Sequence, residues 1–290
     1  MKTTQCIRRL CCRLCNSSEL ELVIQLTPTP PANAFVKSIC VEVEQPVFPL
    51  DIFFCTNCTH VQLLDVIDPK ILFSEYVYVS GTSPLIVEHF RRYASEVVTQ
   101  FTPRVGSLVV DIGSNDGTLL SFFKKAGMSV LGIDPARKIV EEANRNGIET
   151  LEGFFNQSLA EKILVSKGPA SIITANNVFA HADDLEGIIQ GVRSLLAPDG
   201  IFIFEVSYLA DVIEKTLFDT IYHEHLSYHS VRPLQRFFAH NGMNMFGAYR
   251  VDTHGGSIRG VCQLADGPYS DDGTVSELIT LEQIQALNSV

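Results

Sequence analysis

The stretch Asp111-Ile112-Gly113-Ser114-Asn115-Asp116-Gly117 constrains this chain more than any other. An apolar run from Leu108 leads into it, and Leu119-Leu120-Ser121-Phe122-Phe123 follows, with apolar residues resuming at helical spacing. That order predicts a buried strand, a glycine-bearing turn and a helix. Glycines at 113 and 117 permit a sharp turn and leave room for a ligand where a Cβ would clash. A second apolar run, Ser129 to Ile133, ends at Asp134, 23 residues beyond Asp111. Two such strand ends side by side form a crevice for a nucleoside, and an acid on the second suits a ribose diol. Strands are predicted at 108–112, 129–133, 148–151, 171–175 and 201–206, with helices at 118–126, 136–146, 157–166 and 184–196 between them. The alternation implies an α/β fold, a doubly wound parallel sheet with helices on both faces and ligands beyond the carboxyl ends of its strands.

A dinucleotide fingerprint carries G-x-G-x-x-G so that a pyrophosphate can sit at the helix N-terminus. Here the spacing is Gly113-x3-Gly117, with Asp111 and Asp116 beside the turn. Those acids repel phosphate and favour a cationic ligand. D-I-G-S-N-D-G resembles motif I of the class I (Rossmann-like) methyltransferases, and the resemblance implies S-adenosylmethionine (SAM), a sulfonium with an amino-acid tail. The candidate cofactor-binding residues are Asp111, Gly113, Ser114, Asn115, Gly117, Asp134, Phe154 and Asn176. Phe154 is placed either to stack on adenine or to pack in the core. Asn176 can bond the cofactor without adding charge.

Six of the eight cysteines precede position 56 and a seventh is at 58. Cys12-x2-Cys15 and Cys55-x2-Cys58 form two knuckles of the kind that present four thiolates to one tetrahedral zinc. Cys11 offers an alternative to Cys12, and His60 is a further candidate ligand. The chain has a net charge of −11, which disfavours nucleic acid and anionic membranes as partners. Residues 1–60 hold five Lys/Arg and five Asp/Glu, whereas a nucleic-acid-reading zinc ribbon is usually basic. The zinc therefore reads as structural, holding a module too small to build its own core. No apolar run reaches the 18 or so residues needed to span a bilayer, and no signal-peptide pattern opens the chain. A reducing, cytoplasmic location follows from these features and from the cysteine usage.

Five of the eight histidines lie between 181 and 240, concentrated in Tyr222-His223-Glu224-His225-Leu226-Ser227-Tyr228-His229. One reading makes His223, Glu224, His225 and His181 ligands of a catalytic metal, although H-E-H lacks the i,i+4 spacing that puts two ligands on one helical face. The other makes the segment a proton-transfer cluster, a histidine base oriented by a glutamate with tyrosine donors nearby. A structural polar loop is the third reading.

Taken in order, the zinc knuckles, Tyr76-Val77-Tyr78-Val79-Ser80-Gly81-Thr82-Ser83, D-I-G-S-N-D-G, Y-H-E-H-L-S-Y and His254-Gly255-Gly256-Ser257 resemble the nucleotide-sugar C-methyltransferases. That resemblance, over about residues 10–262, implies methylation at C3 of a 4-keto deoxysugar carried on a nucleoside diphosphate. It places the base at His225, with Glu224 and Tyr222 in the same motif, and Tyr76 and His181 at further active-site positions. The expected organisation is a zinc module over 1–75, a SAM-dependent domain over 76–260 and a C-terminal stub over 261–290. The family carries a third domain after the H-G-G-S stretch, and no such domain fits in residues 261–290, which suggests a truncated or shortened homologue. Two rival functions are a non-catalytic binder of SAM or nucleotide-sugar and a methyltransferase with an oxygen or nitrogen acceptor.

Overall fold

A computed structural model describes residues 5–36, 44–73 and 78–289. The expected catalytic residue Tyr76 lies outside the described residues. In the N-terminal part, β1 (Cys6–Arg8) pairs antiparallel with β5 (Asp65–Ile67). Strands β2 (Leu20–Thr29), β3 (Phe48–Cys55) and β4 (Val61–Leu63) form an antiparallel meander. Pro28 falls in β2, at the edge of this sheet, where a missing N–H costs least. The short helix α1 (Pro69–Phe73) follows β5.

Helix α2 (Pro84–Phe101) turns its Tyr93, Ala94 and Val97 into the core and leads to the main sheet. The sheet's strands are β6 (Leu108–Ile112), β7 (Ser129–Asp134), β8 (Thr150–Glu152), β9 (Ala170–Asn176), β10 (Leu196–Ser207), β12 (Met243–Val251) and β13 (Ser257–Leu264). Between them run α3 (Thr118–Lys125), α4 (Arg137–Arg145), α5 (Gln157–Lys167), α6 (Leu185–Leu195), α7 (Leu209–Glu214) and α8 (Val231–His240), and α9 (Thr274–Ile284) follows β13. The strand order is β12-β13-β10-β9-β6-β7-β8. Alternate residues of β6 face opposite layers, as strand geometry requires. Val109 packs with Tyr93, Leu119 and Phe123 on one face, and Val110 and Ile112 join Ile189, Phe204 and Phe238 on the other.

The alternation over 108–206 yields parallel strands as expected, but the sheet as a whole is mixed. β13 runs antiparallel to both β10 and β12, because it returns from β12 through a short connection rather than a helical crossover. The expected boundary at residue 260 falls inside β13. Downstream, Val275 and Leu287 join the main core, and buried Glu282 accepts bonds from Tyr208 Oη (3.0 Å) and Val231 N (2.5 Å). The C-terminal residues are thus packed into the methyltransferase layer. The expected boundary near residue 75 is also crossed: β11 (Ser227–Tyr228) pairs with β4, Ser227 opposite Gln62, and so joins the N-terminal sheet. The histidine-rich segment is stitched directly to the zinc-knuckle part of the chain.

Candidate active site

Strand order reverses beside β6, between β7 on one side and β9 on the other, and a cleft opens at their carboxyl ends as such switch points dictate. Its volume is about 850 Å³, near the upper end of ordinary ligand pockets.

On one side of the cleft the chain leaves β6 through Gly113, at φ +69°. A Cβ there would sit 2.5 Å from Val178 Cγ2, so glycine is required on both counts. Asp111 is buried behind the turn and accepts from Thr174 Oγ1 at 2.6 Å. Burial, reinforced by nearby Asp134, pushes its carboxyl up to about 7. Asp134 accepts from the backbone amides of Asn115 (2.9 Å) and Ala136 (2.8 Å), and burial raises its pKa against those bonds. Asn115 holds the preceding segment over the turn: its Oδ1 accepts from Ser80 N and its Nδ2 donates to Tyr78 O, both at 2.9 Å. Ser80 enters a short 3₁₀ turn. Ser114 Oγ is buried without a partner, and so are both polar atoms of Asn176. Phe154 is 41% exposed at the cleft rim, which leaves its ring available for stacking and removes it from the core. Gly117 does not line the cleft. Its φ is +78° and a Cβ would press on Ile148 at 2.7 Å, so it serves the turn and the packing beneath rather than ligand approach.

The opposite side gathers residues from distant segments. His225 Nδ1 donates to Thr220 O at 2.7 Å, which leaves Nε2 as the acceptor for the Tyr222 hydroxyl at 3.0 Å. The His181 ring stands at 80° to that of His225, centroids 4.9 Å apart, and its Nδ1 is buried without a partner. Burial drives His225 down to about 4 and His181 well below its usual value. Glu224 does not orient His225, contrary to expectation: its Oε1 accepts from Asn33 Nδ2 at 2.7 Å, and the imidazole takes the Thr220 carbonyl instead. His223 turns to Phe48 O at 3.2 Å. Three consecutive side chains with three different partners form no metal site. Sequence reasoning did not single out His89, which lines the cleft and bonds Glu205 Oε2 at 2.8 Å. Burial opposes it, yet His89 and Arg259 together hold Glu205 below the usual carboxylate range. The available signal was a polar residue on the apolar face of α2, three after Ile86 and four before Tyr93. His254 and Asn33 also line the cleft.

The sulfur atoms of Cys12, Cys15, Cys55 and Cys58 lie within 4.8 Å of one another, the one such cluster of three or more metal-ligating groups among the described residues. Cys12 Sγ is 3.5 Å from Cys58 Sγ, and Cys15 Sγ is 3.6 Å from Cys55 Sγ. A zinc with Zn–S of about 2.3 Å needs tetrahedral edges of about 3.8 Å, so the set fits. Cys11 stays outside it. His60 is not part of the set, and its Nε2 is engaged with Ser227 Oγ at 3.2 Å. Contact with Cys12 and burial both raise the Cys58 thiol, an opposition that a bound divalent cation would relieve.

The fold and cleft define a class I methyltransferase with a zinc-knuckle module. Residues 86–246, more than half of the chain, match the family described as "Methyltransferase domain", and residues 12–73 match a "Putative zinc binding domain". The chain belongs to this SAM-dependent methyltransferase family. It is similar to the C-methyltransferase NovU of Streptomyces niveus, 34% identical over 276 residues, which cover 95% of this chain and 66% of that enzyme. A ubiquinone biosynthesis O-methyltransferase of Ralstonia nicotianae is 28% identical over 104 residues, 35% of this chain and 44% of that one. Among solved structures, the PH0226 protein of Pyrococcus horikoshii superposes with a TM-score of 0.50 at 14% identity, covering 64% of this chain and 95% of that one. That likeness shows the fold. The aligned region thus spans 66% of NovU and 44% of the O-methyltransferase.

The cleft fits the family's cofactor on its own chemistry. Its walls carry Asp111 and Asp134, no Lys or Arg among the described lining residues, an unsatisfied buried amide at Asn176 and a glycine turn with no room for a side chain. A cationic sulfonium with an ammonium tail suits such walls. No described helix is long and apolar enough to cross a membrane.

Proposed function

We propose that this chain is a SAM-dependent C-methyltransferase whose acceptor is a 4-keto deoxysugar carried on a nucleoside diphosphate, methylated at C3. The observation that carries the reading is the His225–Tyr222 pair: a neutral imidazole with its proton fixed on Nδ1, and an unprotonated Nε2 bonded to a phenol at the cleft wall. An oxygen or nitrogen acceptor needs little more than one proton removed. A carbon acceptor needs a nucleophile made beside a ketone, which takes a positioned base and donors that steady the enolate oxygen. The similarity to NovU, a C-methyltransferase by name, supports the same choice.

In this reading the cofactor supplies an electrophilic methyl on sulfur and requires no metal. Asp134 binds the ribose diol, Asn176 and Asp111 serve the amino-acid tail, and Gly113, Ser114 and Asn115 shape the turn against it. Phe154 covers the adenine. His225 Nε2 takes the C3 proton, directly or through the Tyr222 hydroxyl, and the C3–H electron pair moves into the enolate. That carbon nucleophile would take the methyl that bound SAM supplies, the sulfur keeping the electron pair of the broken methyl–sulfur bond. His181 and Tyr76 hold the sugar or its enolate oxygen. Glu224, bonded to Asn33, acts on the shape of the pocket rather than on the basicity of His225. The N-terminal knuckles, residues 1–75 as read from sequence, hold a structural zinc.

The test is incubation of the chain with SAM and a panel of 4-keto deoxysugar nucleotides, followed by mass spectrometry. A mass gain of one methylene with carbon-linked methyl is expected. Methylation of oxygen or nitrogen acceptors alone would overturn the reading.

A further inference from the structure

The geometry points to Arg13, the residue inside the first zinc knuckle, as a positioning residue that locks together the two loops bearing His181 and His225. This inference rests on the preceding reading of those histidines as the acceptor side of the site.

Arg13 sits between two cysteines of the zinc cluster, so a bound metal would fix its backbone on both sides. Its backbone N–H donates to Gln62 Oε1 at 3.0 Å. Its side chain is fully buried and does not serve the metal. Nη1 donates to Gln62 Oε1 at 3.1 Å and to the Leu226 carbonyl at 3.0 Å. Nε donates to Asp183 Oδ1 at 3.1 Å, and Arg9 Nη1 joins the same oxygen at 3.0 Å. Leu226 is the residue after His225, and Asp183 is the second after His181. One guanidinium therefore bridges the segments on which the two facing imidazoles are mounted. A planar fork with several fixed donors does this where an ammonium could satisfy only one partner well.

A buried cation paired with one half-exposed carboxylate adds little to net stability, because desolvation offsets the attraction. Its retention is better accounted for by the geometry that it imposes. The loops also have bonds independent of it: Leu63 N donates to Leu226 O at 3.0 Å, and Ser227 N to Ala180 O at 3.1 Å. Loss of the guanidinium should therefore leave the chain folded but the imidazole pair loosely held. Misplacement of a base by a fraction of an ångström is enough to slow proton transfer.

The experiment compares the full, zinc-loaded chain with Arg13→Ala, Arg13→Lys and Asp183→Asn. The readouts are zinc content, SAM affinity by calorimetry, kcat and KM for methyl transfer, and the ring resonances of isotope-labelled His181 and His225. Arg13→Ala should keep about one zinc per chain and bind SAM within about twofold of the parent, while kcat falls about 10- to 100-fold, the usual cost of losing an orienting partner. KM should change little and both ring resonances should move. Arg13→Lys, restoring one of the bonds, should fall between. Unchanged kcat and resonances in a folded, zinc-loaded Arg13→Ala chain would overturn the inference. Were Arg13→Ala to lose its fold, Asp183→Asn decides: it must shift the His181 resonance, and an unmoved signal overturns the inference equally. The resonances need no substrate. If the parent chain methylates no keto sugar, the functional reading fails while this coupling is still decided.

Discussion

On the cofactor side of the cleft, the polar groups come from the ends of three adjacent parallel strands, and the turns after β6 and β7 are tied to each other by backbone groups. Asp134 is fixed by the amides of Asn115 and Ala136, and Gly113 by the carbonyl of Ile133. On the acceptor side, His181, Tyr222, His225, His254 and His89 come from four separate segments. The segment bearing Tyr222 and His225 runs on into β11, which pairs with the zinc-knuckle sheet, and into α8, whose first amide bonds Glu282 of α9. A strand-turn-helix unit supplies a cofactor site almost by itself. An acceptor site that must place a base within hydrogen-bond reach of a carbon needs supports from several directions. The zinc module is one of those supports rather than an appendage.

Substitutions on the two sides should therefore fail in different ways. The largest effect is expected at His225. His225→Ala should lower methyl transfer by about 10²- to 10⁴-fold, the usual contribution of a positioned general base, with SAM affinity measured by calorimetry unchanged. A joint loss of turnover and cofactor binding would erase the distinction between the two sides. Asp134→Ala is the converse case. It should weaken SAM binding by about tenfold, the scale of one charge-assisted hydrogen bond, and retain kcat at saturating cofactor. Unchanged affinity in calorimetry would remove Asp134 from the ribose site.

A smaller effect separates the sides by pH. His225 and His229 are held near 4 and His181 well below its usual value, in each case first by burial. Each unfolded histidine titrates at about 6.5, so between that pH and about 4 the unfolded chain binds more protons than the folded one. Stability contributed by these neutral rings is complete above about pH 6.5 and is lost as pH falls through that window. The melting temperature should drop on the order of 5 °C from pH 7 to pH 5. The slope should shrink in His225→Gln, which keeps a polar side chain but cannot titrate. An equal slope in parent and variant would assign the acid sensitivity elsewhere.

The same contrast explains what could be read from the chain directly. Strand-turn-helix periodicity, Gly113 and the acid at 134 are local signals, and they marked residues that line the cleft. Gly117 shows their limit, since a glycine records the need for a positive φ without saying whether a ligand or Ile148 lies opposite. The four cysteines were legible because tetrahedral thiolate binding demands the paired spacing. Choosing Cys12 over Cys11 took the fold. On the acceptor side the sequence displayed the histidines but not their partners. Glu224 adjoins His225 in the chain yet reaches Asn33, and the orienting group is a backbone carbonyl, Thr220, that no side-chain pattern reveals. His89 was hidden in an amphipathic helix, and Arg13 between two ligands. The antiparallel return of β13 was missed because helical crossovers dominate the pattern before it.

The central claim is that the acceptor side makes a carbanion-like nucleophile, and proton exchange tests it without requiring methyl transfer. The chain is incubated in deuterium oxide with S-adenosylhomocysteine and a 4-keto deoxysugar nucleotide, and C3 is followed by NMR and mass spectrometry. The account predicts that deuterium enters C3 in the parent chain and that exchange falls by about 10²-fold or more in a His225→Ala variant that still binds cofactor. Full exchange in that variant, or no exchange in a parent chain that methylates an acceptor, would contradict it.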